Sequence, residues 1–295
     1  MTIIQLEYLL AVANYGSFSL ASQHCFVTQP SLSMQVKNLE EELGVILLDR
    51  SKKPVIPTEA GAVVIRNARE TLKAYNFIRE SVNDLKGEVS GVLRLGVIPT
   101  IAPYLMHLFI PAFMRRYPKV ELQISEMMTA QIVEALSRDM LDAAIIAGGG
   151  TPKGITEHEL FNDKFYVYVS PQNPLYGRSN VRIEDISPRD LLLLGEGHCL
   201  RDQVLELCQG KGKANAACSF ECGSVETLMR IVNNTGSLTI VPEMATGFIP
   251  AARRRQIKTL AKGAASRKIV VAVRRSYVKS SIIGALKESI LAVAQ

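Results

Sequence analysis

Apolar residues near the start of the chain recur every three or four positions, the spacing of a helix with one buried face. Leu6, Leu9, Leu10 and Ala13 mark such a face, and Asn14-Tyr15-Gly16-Ser17 ends it. Ser17 is placed to cap a second helix running to about Cys25, with Leu20 and Ala21 inward. Phe26-Val27-Thr28 then turns the chain. Thr28 is an N-cap for a third helix, and Pro30 sits in its first turn, where a missing N–H is harmless. Leu32, Val36, Leu39 and Leu43 form its buried stripe until Gly44 stops it. Helix, short turn and helix of this size predict a helix-turn-helix. The run from Leu47 to Pro57 predicts a small hairpin, or wing. A long helix follows from about Thr58 to Leu85, striped by Ala60, Val64, Ala68, Leu72, Tyr75 and Ile78. So long a stripe exceeds what a small domain covers, so a partner chain is expected to bury it.

From Gly91 the pattern changes. Strand-like runs at 92–98, 120–125, 143–147, 165–170, 191–194, 238–241 and 269–273 alternate with helical segments. That alternation predicts an α/β domain with a largely parallel sheet, long enough for two subdomains around a cleft. The expected organisation is α+β and multidomain. A winged helix-turn-helix domain spans 1–58, a linker or dimerisation helix 59–88, and a regulatory domain 89–295. Within the last, subdomain I covers about 89–162 and 266–295, and subdomain II about 163–265.

Composition narrows the class. Of 295 residues, 47% are hydrophobic and 21% charged, which supports ordinary cores and excludes disorder. No apolar run approaches the roughly 18 residues that cross a bilayer, and MTIIQLEYLL lacks the basic start of a secretory signal. No membrane association and a cytoplasmic location are expected. Five cysteines, an odd count, do not form a disulfide framework in that compartment. The net charge of +6 invites a nucleic-acid partner, but its distribution does not support one. Residues 1–58 hold four Lys/Arg against five acids, whereas 251–279 hold ten Lys/Arg and no acid. Any claim of DNA binding at the N-terminus therefore rests on motif, not on bulk charge.

Two segments carry candidate chemistry. On the third helix, Gln29, Ser31, Ser33, Gln35 and Lys37 lie off the apolar stripe; short polar groups there suit base edges and phosphates, and equally a solvated face. The stretch from Gly195 to Cys208 follows a predicted strand, which places Cys199 at a strand's carboxyl end, where open α/β sheets seat ligands. His198 and Arg201 lie close in sequence, and neighbouring positive charge favours the reactive thiolate. Cys208 shares a helical face with Leu200, Val204 and Leu207, so its thiol is expected to point inward. Cys25 replaces an ordinary core position; Cys218, Phe220 and Cys222 alternate along an expected strand. No C-x-x-C pair supports a metal, and Gly148-Gly149-Gly150 lacks the ending of a phosphate loop and is expected to be a flexible connection. No cofactor is expected.

The order of residues goes further. LEYLLAVANYGSFSLASQHCFVTQPSLSMQVKNLEEELGVILLDR, followed by PTEAG, resembles the N-terminal domain of LysR-type transcriptional regulators. The resemblance implies that Gln29, Pro30, Ser31, Ser33 and Gln35 approach promoter DNA and that Arg50 in the wing contacts phosphate. It also implies that the long helix pairs subunits and that the C-terminal part is a periplasmic-binding-protein-like effector domain. One departure stands out: members often carry a basic residue at position 34 or shortly after, and Met34 is apolar.

GHCLRDQ followed by Cys208, IPTIAPYL at 98–105 and GSVETLMRIVNNTGSLTIVP at 223–242 resemble the peroxide-sensing members of that family. That likeness implies that hydrogen peroxide oxidises Cys199 to a sulfenic acid which Cys208 resolves as a disulfide. Thr100, Thr129, His198, Asp202, Gln203 and Arg267 would form the peroxide pocket, although Thr100 and Thr129 are equally expected as helix caps. An oxidative-stress activator of this kind implies RNA polymerase, a glutaredoxin- or thioredoxin-like reductase, and a homodimer or homotetramer as partners. A LysR-type regulator of a small organic effector leaves GHCLRDQ–Cys208 unexplained, and a thiol peroxidase leaves residues 1–87 unexplained.

Overall fold

A computed structural model describes residues 1–85, 88–208, 222–260, 265–275 and 280–294. The expected strand through Cys218 and Phe220 lies outside the described residues. The chain divides into two compact units, one comprising 1–88 with 138–140 and the other the remainder.

In the first unit, helix α1 (Ile3–Tyr15) opens with reciprocal capping. Gln5 N–H donates to the Thr2 hydroxyl at 3.2 Å, and Thr2 N–H donates to the Gln5 side chain at 2.8 Å. Ser17 caps α2 (Phe18–His24) by accepting from Leu20 N–H. Helix α3 (Gln29–Leu43) ends on Gly44 in the left-handed region. Leu9, Val12, Leu32, Val36 and Leu39 are fully buried in the core these helices share. One expectation changes. Leu20 is 47% exposed, because Ala21 and Ser22 take the inward face of the short α2. Thr28 holds the N-cap position of α3 as expected but makes no side-chain cap hydrogen bond, and Pro30 removes one of the two N–H groups such a bond could use.

Strands β1 (Leu48–Asp49) and β2 (Ile56–Pro57) pair antiparallel as the wing. Thr58 then starts α4 (Glu59–Leu85), its hydroxyl donating to Ile46 O at 2.7 Å and accepting from Gly61 N–H at 2.9 Å. Gly61 is required by close approach: a Cβ there would lie 1.9 Å from Leu47 O. Ile65 and Ala68 dock α4 on the core, while Phe77 and Ile78 further along are exposed.

The second unit is built on β3 (Gly91–Val97), α5 (Ala102–Arg116), β4 (Val120–Glu126), α6 (Thr129–Ser137), β5 (Ala143–Ala147) and β6 (Ile155–Val169). There follow β7 (Asn180–Val181), α7 (Cys199–Leu207), α8 (Val225–Val232), β8 (Leu238–Pro242), α9 (Glu243–Thr246), β9 (Ile257–Leu260), β10 (Ser266–Arg274) and α10 (Ser280–Leu291). The sheet order is β4-β3-β5-β10-β6-β9-β7, with β8 also on β6. The sheet is mixed rather than largely parallel: β10 runs antiparallel to β5 and β6, and β6 antiparallel to β8 and β9. The cause is β6, a 15-residue strand shared by two half-sheets. Its first part pairs with β10 through Lys164, and from Phe165 its partner becomes β8. The chain returns along β10, which therefore opposes β6. Residues 191–194 contribute isolated bridges, Leu191 to Leu238 and Leu194 to Cys222, in place of the expected strand. The triple glycine is anchored rather than loose: Gly148 N–H donates to Lys268 O at 2.9 Å, and Gly149 N–H to the Glu157 carboxylate.

Candidate functional site

Helix α7 begins at Cys199, with His198 as its N-cap residue and Gly197 at φ +87° before it. Glycine alone takes that φ without strain, so the turn delivers the thiol to the helix N-terminus. Ile98, Pro99, Thr100, Met128, Thr129, Gly197, His198 and Cys199 line one small cleft. The chain thus gathers the end of β3, the start of α6 and the start of α7 around the thiol.

Of the expected pocket residues, Thr100, Thr129 and His198 line this cleft together with Cys199. Gln203 is half-buried one turn further along α7, whereas Asp202 faces solvent. Arg267 lies buried behind Thr100. Its guanidinium donates to the Thr100 hydroxyl at 2.8 Å and to the Thr100 carbonyl at 3.2 Å. It also grips Asp163 through Nε and Nη2, at 3.0 and 2.9 Å. Arg267, Asp163 and Thr100 are all buried, and Asp163 further accepts from Met244 N–H at 3.2 Å. Burial pushes the Asp163 carboxyl up from its ordinary value, and the charge of Arg267 opposes that shift. Sequence reasoning missed Asp163. Its signal was the antiparallel register of β6 and β10, which sets it opposite Arg267.

Neither threonine caps a helix. The Thr100 hydroxyl is taken by Arg267, and α5 starts two residues later. Thr129 is the first residue of α6 itself, and its Oγ1 is buried without a hydrogen-bond partner. His198 Nδ1 and Gln203 Oε1 are buried and unpartnered too. Such atoms are uncommon, since each unmet buried group costs about 1–3 kcal/mol. His198 also departs from the expected positive neighbour: burial lowers its pKa, against a weaker opposite pull from Glu126, which favours neutral imidazole. Arg201 is held back by its own bond to Leu194 O at 2.8 Å.

Cys208 closes α7 at its far end and is buried in a core cluster with Leu200 and Val204. Cys208 lies nine positions after Cys199 along the helix, a rise of about 13 Å, against the roughly 7 Å that a disulfide spans. Cys222 is buried, its thiol 3.0 Å from Ser224 O, and Cys25 is half-buried, with its thiol pushed up by burial and Glu7.

In the first unit, Gln29, Pro30 and Ser31 are exposed at the start of α3, with Ser33 and Gln35 half-buried. Arg50 is engaged locally: it donates to Glu40 at 2.7 Å and stacks over the Phe18 ring. Glu40 in turn accepts from the Leu47 and Leu48 N–H groups, at 2.8 and 3.2 Å. One carboxylate thereby ties the wing to α3.

A helix-turn-helix unit with a wing, joined to a two-half α/β unit with a cleft, defines a LysR-type regulator, and the chain belongs to that family. Residues 3–62 match the bacterial regulatory helix-turn-helix protein of the lysR family, and 86–295 the LysR substrate binding domain. It is a DNA-binding transcription regulator rather than an enzyme. In particular, it is similar to the hydrogen peroxide-inducible genes activator of Haemophilus influenzae, at 35% identity over 83% of this chain and 81% of the relative. It is 35% identical to the Escherichia coli dual regulator OxyR over 86% of this chain and 82% of that one. A full-length cysteine-to-aspartate variant of Pseudomonas aeruginosa OxyR superposes with a TM-score of 0.81 at 32% identity, covering 99% and 98% of the two chains. A peroxide-bound cysteine variant of Corynebacterium glutamicum OxyR gives 0.64 at 28% identity, covering 100% and 92%. Among the described residues no helix is long and apolar enough to cross a membrane.

Proposed function

We propose that the chain is a peroxide-responsive transcription regulator whose switch is the thiol of Cys199. The observation that carries this reading is the cleft itself. A cysteine at a helix N-terminus shares it with the Thr100 and Thr129 hydroxyls and a His198 imidazole, and two of these groups have buried polar atoms awaiting a partner. A small, uncharged, two-oxygen molecule fits such a set. The Cys199 thiolate attacks one peroxide oxygen; an S–O bond forms, the O–O bond breaks, and hydroxide leaves to be protonated to water. Thr129 and neutral His198 hold the peroxide, while Arg267, itself fixed by Asp163, aims the Thr100 hydroxyl. Cys208 then attacks the sulfenic sulfur, forming the S–S bond and releasing a second water. The distance along α7 makes that second step a conformational change. A thiol reductase of the glutaredoxin or thioredoxin class resets it.

On the DNA side, Gln29, Pro30, Ser31, Ser33 and Gln35 of α3 read promoter DNA. Arg50 reaches phosphate from a wing that Glu40 holds in place. Helix α4 pairs two subunits within a homodimer or homotetramer, and the output acts on RNA polymerase at oxidative-stress genes.

Mass spectrometry after brief peroxide treatment tests the reading. A specific Cys199–Cys208 bond is expected, lost in Cys199→Ser together with peroxide-dependent transcription. A Cys199→Ser protein that still switches with peroxide sinks it.

A further inference from the structure

The face of α3 opposite the core carries a large apolar side chain. Leu32, Val36 and Leu39 are fully buried. At about 100° per residue, Met34 points directly away from that stripe, and it is 56% exposed. Pro30 lies one turn before it and Lys37 one turn after; both are exposed. An exposed methionine on an ordinary surface helix needs no explanation. This one stands on the first turns of the recognition helix of a helix-turn-helix family, the part of the helix that meets base edges.

We propose that Met34 reads the C5-methyl group of a thymine in the major groove and so sets base preference at one operator position. A thioether has no proton to donate and accepts hydrogen bonds only weakly. Among the major-groove edges of the base pairs, the thymine methyl is the one apolar feature. Met34 is unbranched and flexible, which lets its terminal methyl follow that group. Gln29 and Ser33 are left to hydrogen-bond neighbouring edges. Residue identity at position 34 therefore selects the base: an apolar group takes thymine, whereas a guanidinium takes guanine.

The inference rests on the assignment of α3 to DNA, and the experiment separates the two. The full-length chain selects a preferred duplex from a random-sequence pool, and that duplex is remade with single thymines replaced by deoxyuridine, which removes only the methyl. Loss of one buried methyl weakens binding about fourfold, so the wild type is expected to show that loss at one thymine and little elsewhere. Met34→Ala is expected to bind the thymine duplex about fourfold more weakly and to stop distinguishing thymine from uracil there. Met34→Arg is expected to select guanine at that position, through O6 and N7. Because Met34 is exposed, thermal unfolding of both variants should match the wild type. Equal wild-type affinity for every uracil duplex, or a Met34→Ala protein that keeps the thymine preference, overturns the proposal. A wild type that selects no sequence at all overturns the assignment of α3 as well.

Discussion

Removing the carboxylate of Asp163 should be among the most damaging single changes in the regulatory unit. The side chains of Asp163 and Arg267 are 0% and 1% exposed, and the carboxylate takes two guanidinium bonds and one backbone N–H. In Asp163→Ala the guanidinium stays buried with only Thr100 as partner, and Met244 N–H loses its acceptor. Breaking a buried pair from one side costs about 3–5 kcal/mol, a large share of the roughly 5–15 kcal/mol that holds a domain folded. Urea unfolding of the reduced protein, followed by circular dichroism, reads the loss directly. The double variant Asp163→Leu/Arg267→Met should be less destabilised than the two singles added together, because neither charge is stranded. Asp163→Asn, which keeps the volume and one acceptor, should fold yet react with peroxide more slowly, since Arg267 then holds Thr100 less firmly. A cost below about 1 kcal/mol for Asp163→Ala would show that the pair behaves as a surface ion pair, and the positioning role of Arg267 would fall with it.

If the Cys199–Cys208 bond forms, α7 must unwind and release Cys208, so amides of 200–208 should lose hydrogen-exchange protection on oxidation while residues 1–60 change little; equal protection in both states refutes the distance argument. The pKa of His198 is lowered by burial in the folded chain, so the unfolded chain binds the proton more readily. Its contribution to stability is therefore present above its ordinary value of 6.5 and lost as pH falls below it, a slope that His198→Asn should flatten in denaturation measured across that range. Phe26 is 94% exposed at φ +54°, so Phe26→Gly should raise stability by up to about 1 kcal/mol, and a lowered melting temperature would show that its ring packs on something.

Local signals carried much of the architecture. Helix α3, its Pro30 start and its Gly44 stop were legible because propensity, capping and apolar spacing agree within one segment. The strand at 143–147 was legible to the residue, since the run AAIIA is too short for a helix and is bounded by Asp142 and the triple glycine. Gly61, in the PTEAG motif that marked the family, has a physical reason only in three dimensions, where Leu47 O leaves no room for a Cβ.

What tertiary structure alone decided was pairing. The first ten residues of β6, ITEHELFNDK, are too polar to announce a strand, yet β10 pairs with them and makes the sheet mixed. The same register sets Asp163 against Arg267, 104 residues apart, and makes an arginine expected in the peroxide pocket the clamp of Thr100 behind it. Thr100 and Thr129 read equally as caps or as ligands, and only the competition for their hydroxyls separated the two, with Arg267 taking one and nothing described taking the other. Sequence spacing records which groups are near along the chain. Burial and partner choice depend on what the fold brings from far away, so the cysteines and the helix carrying Cys199 could be read from the sequence, whereas the charge state of His198 and the support behind the cleft could not.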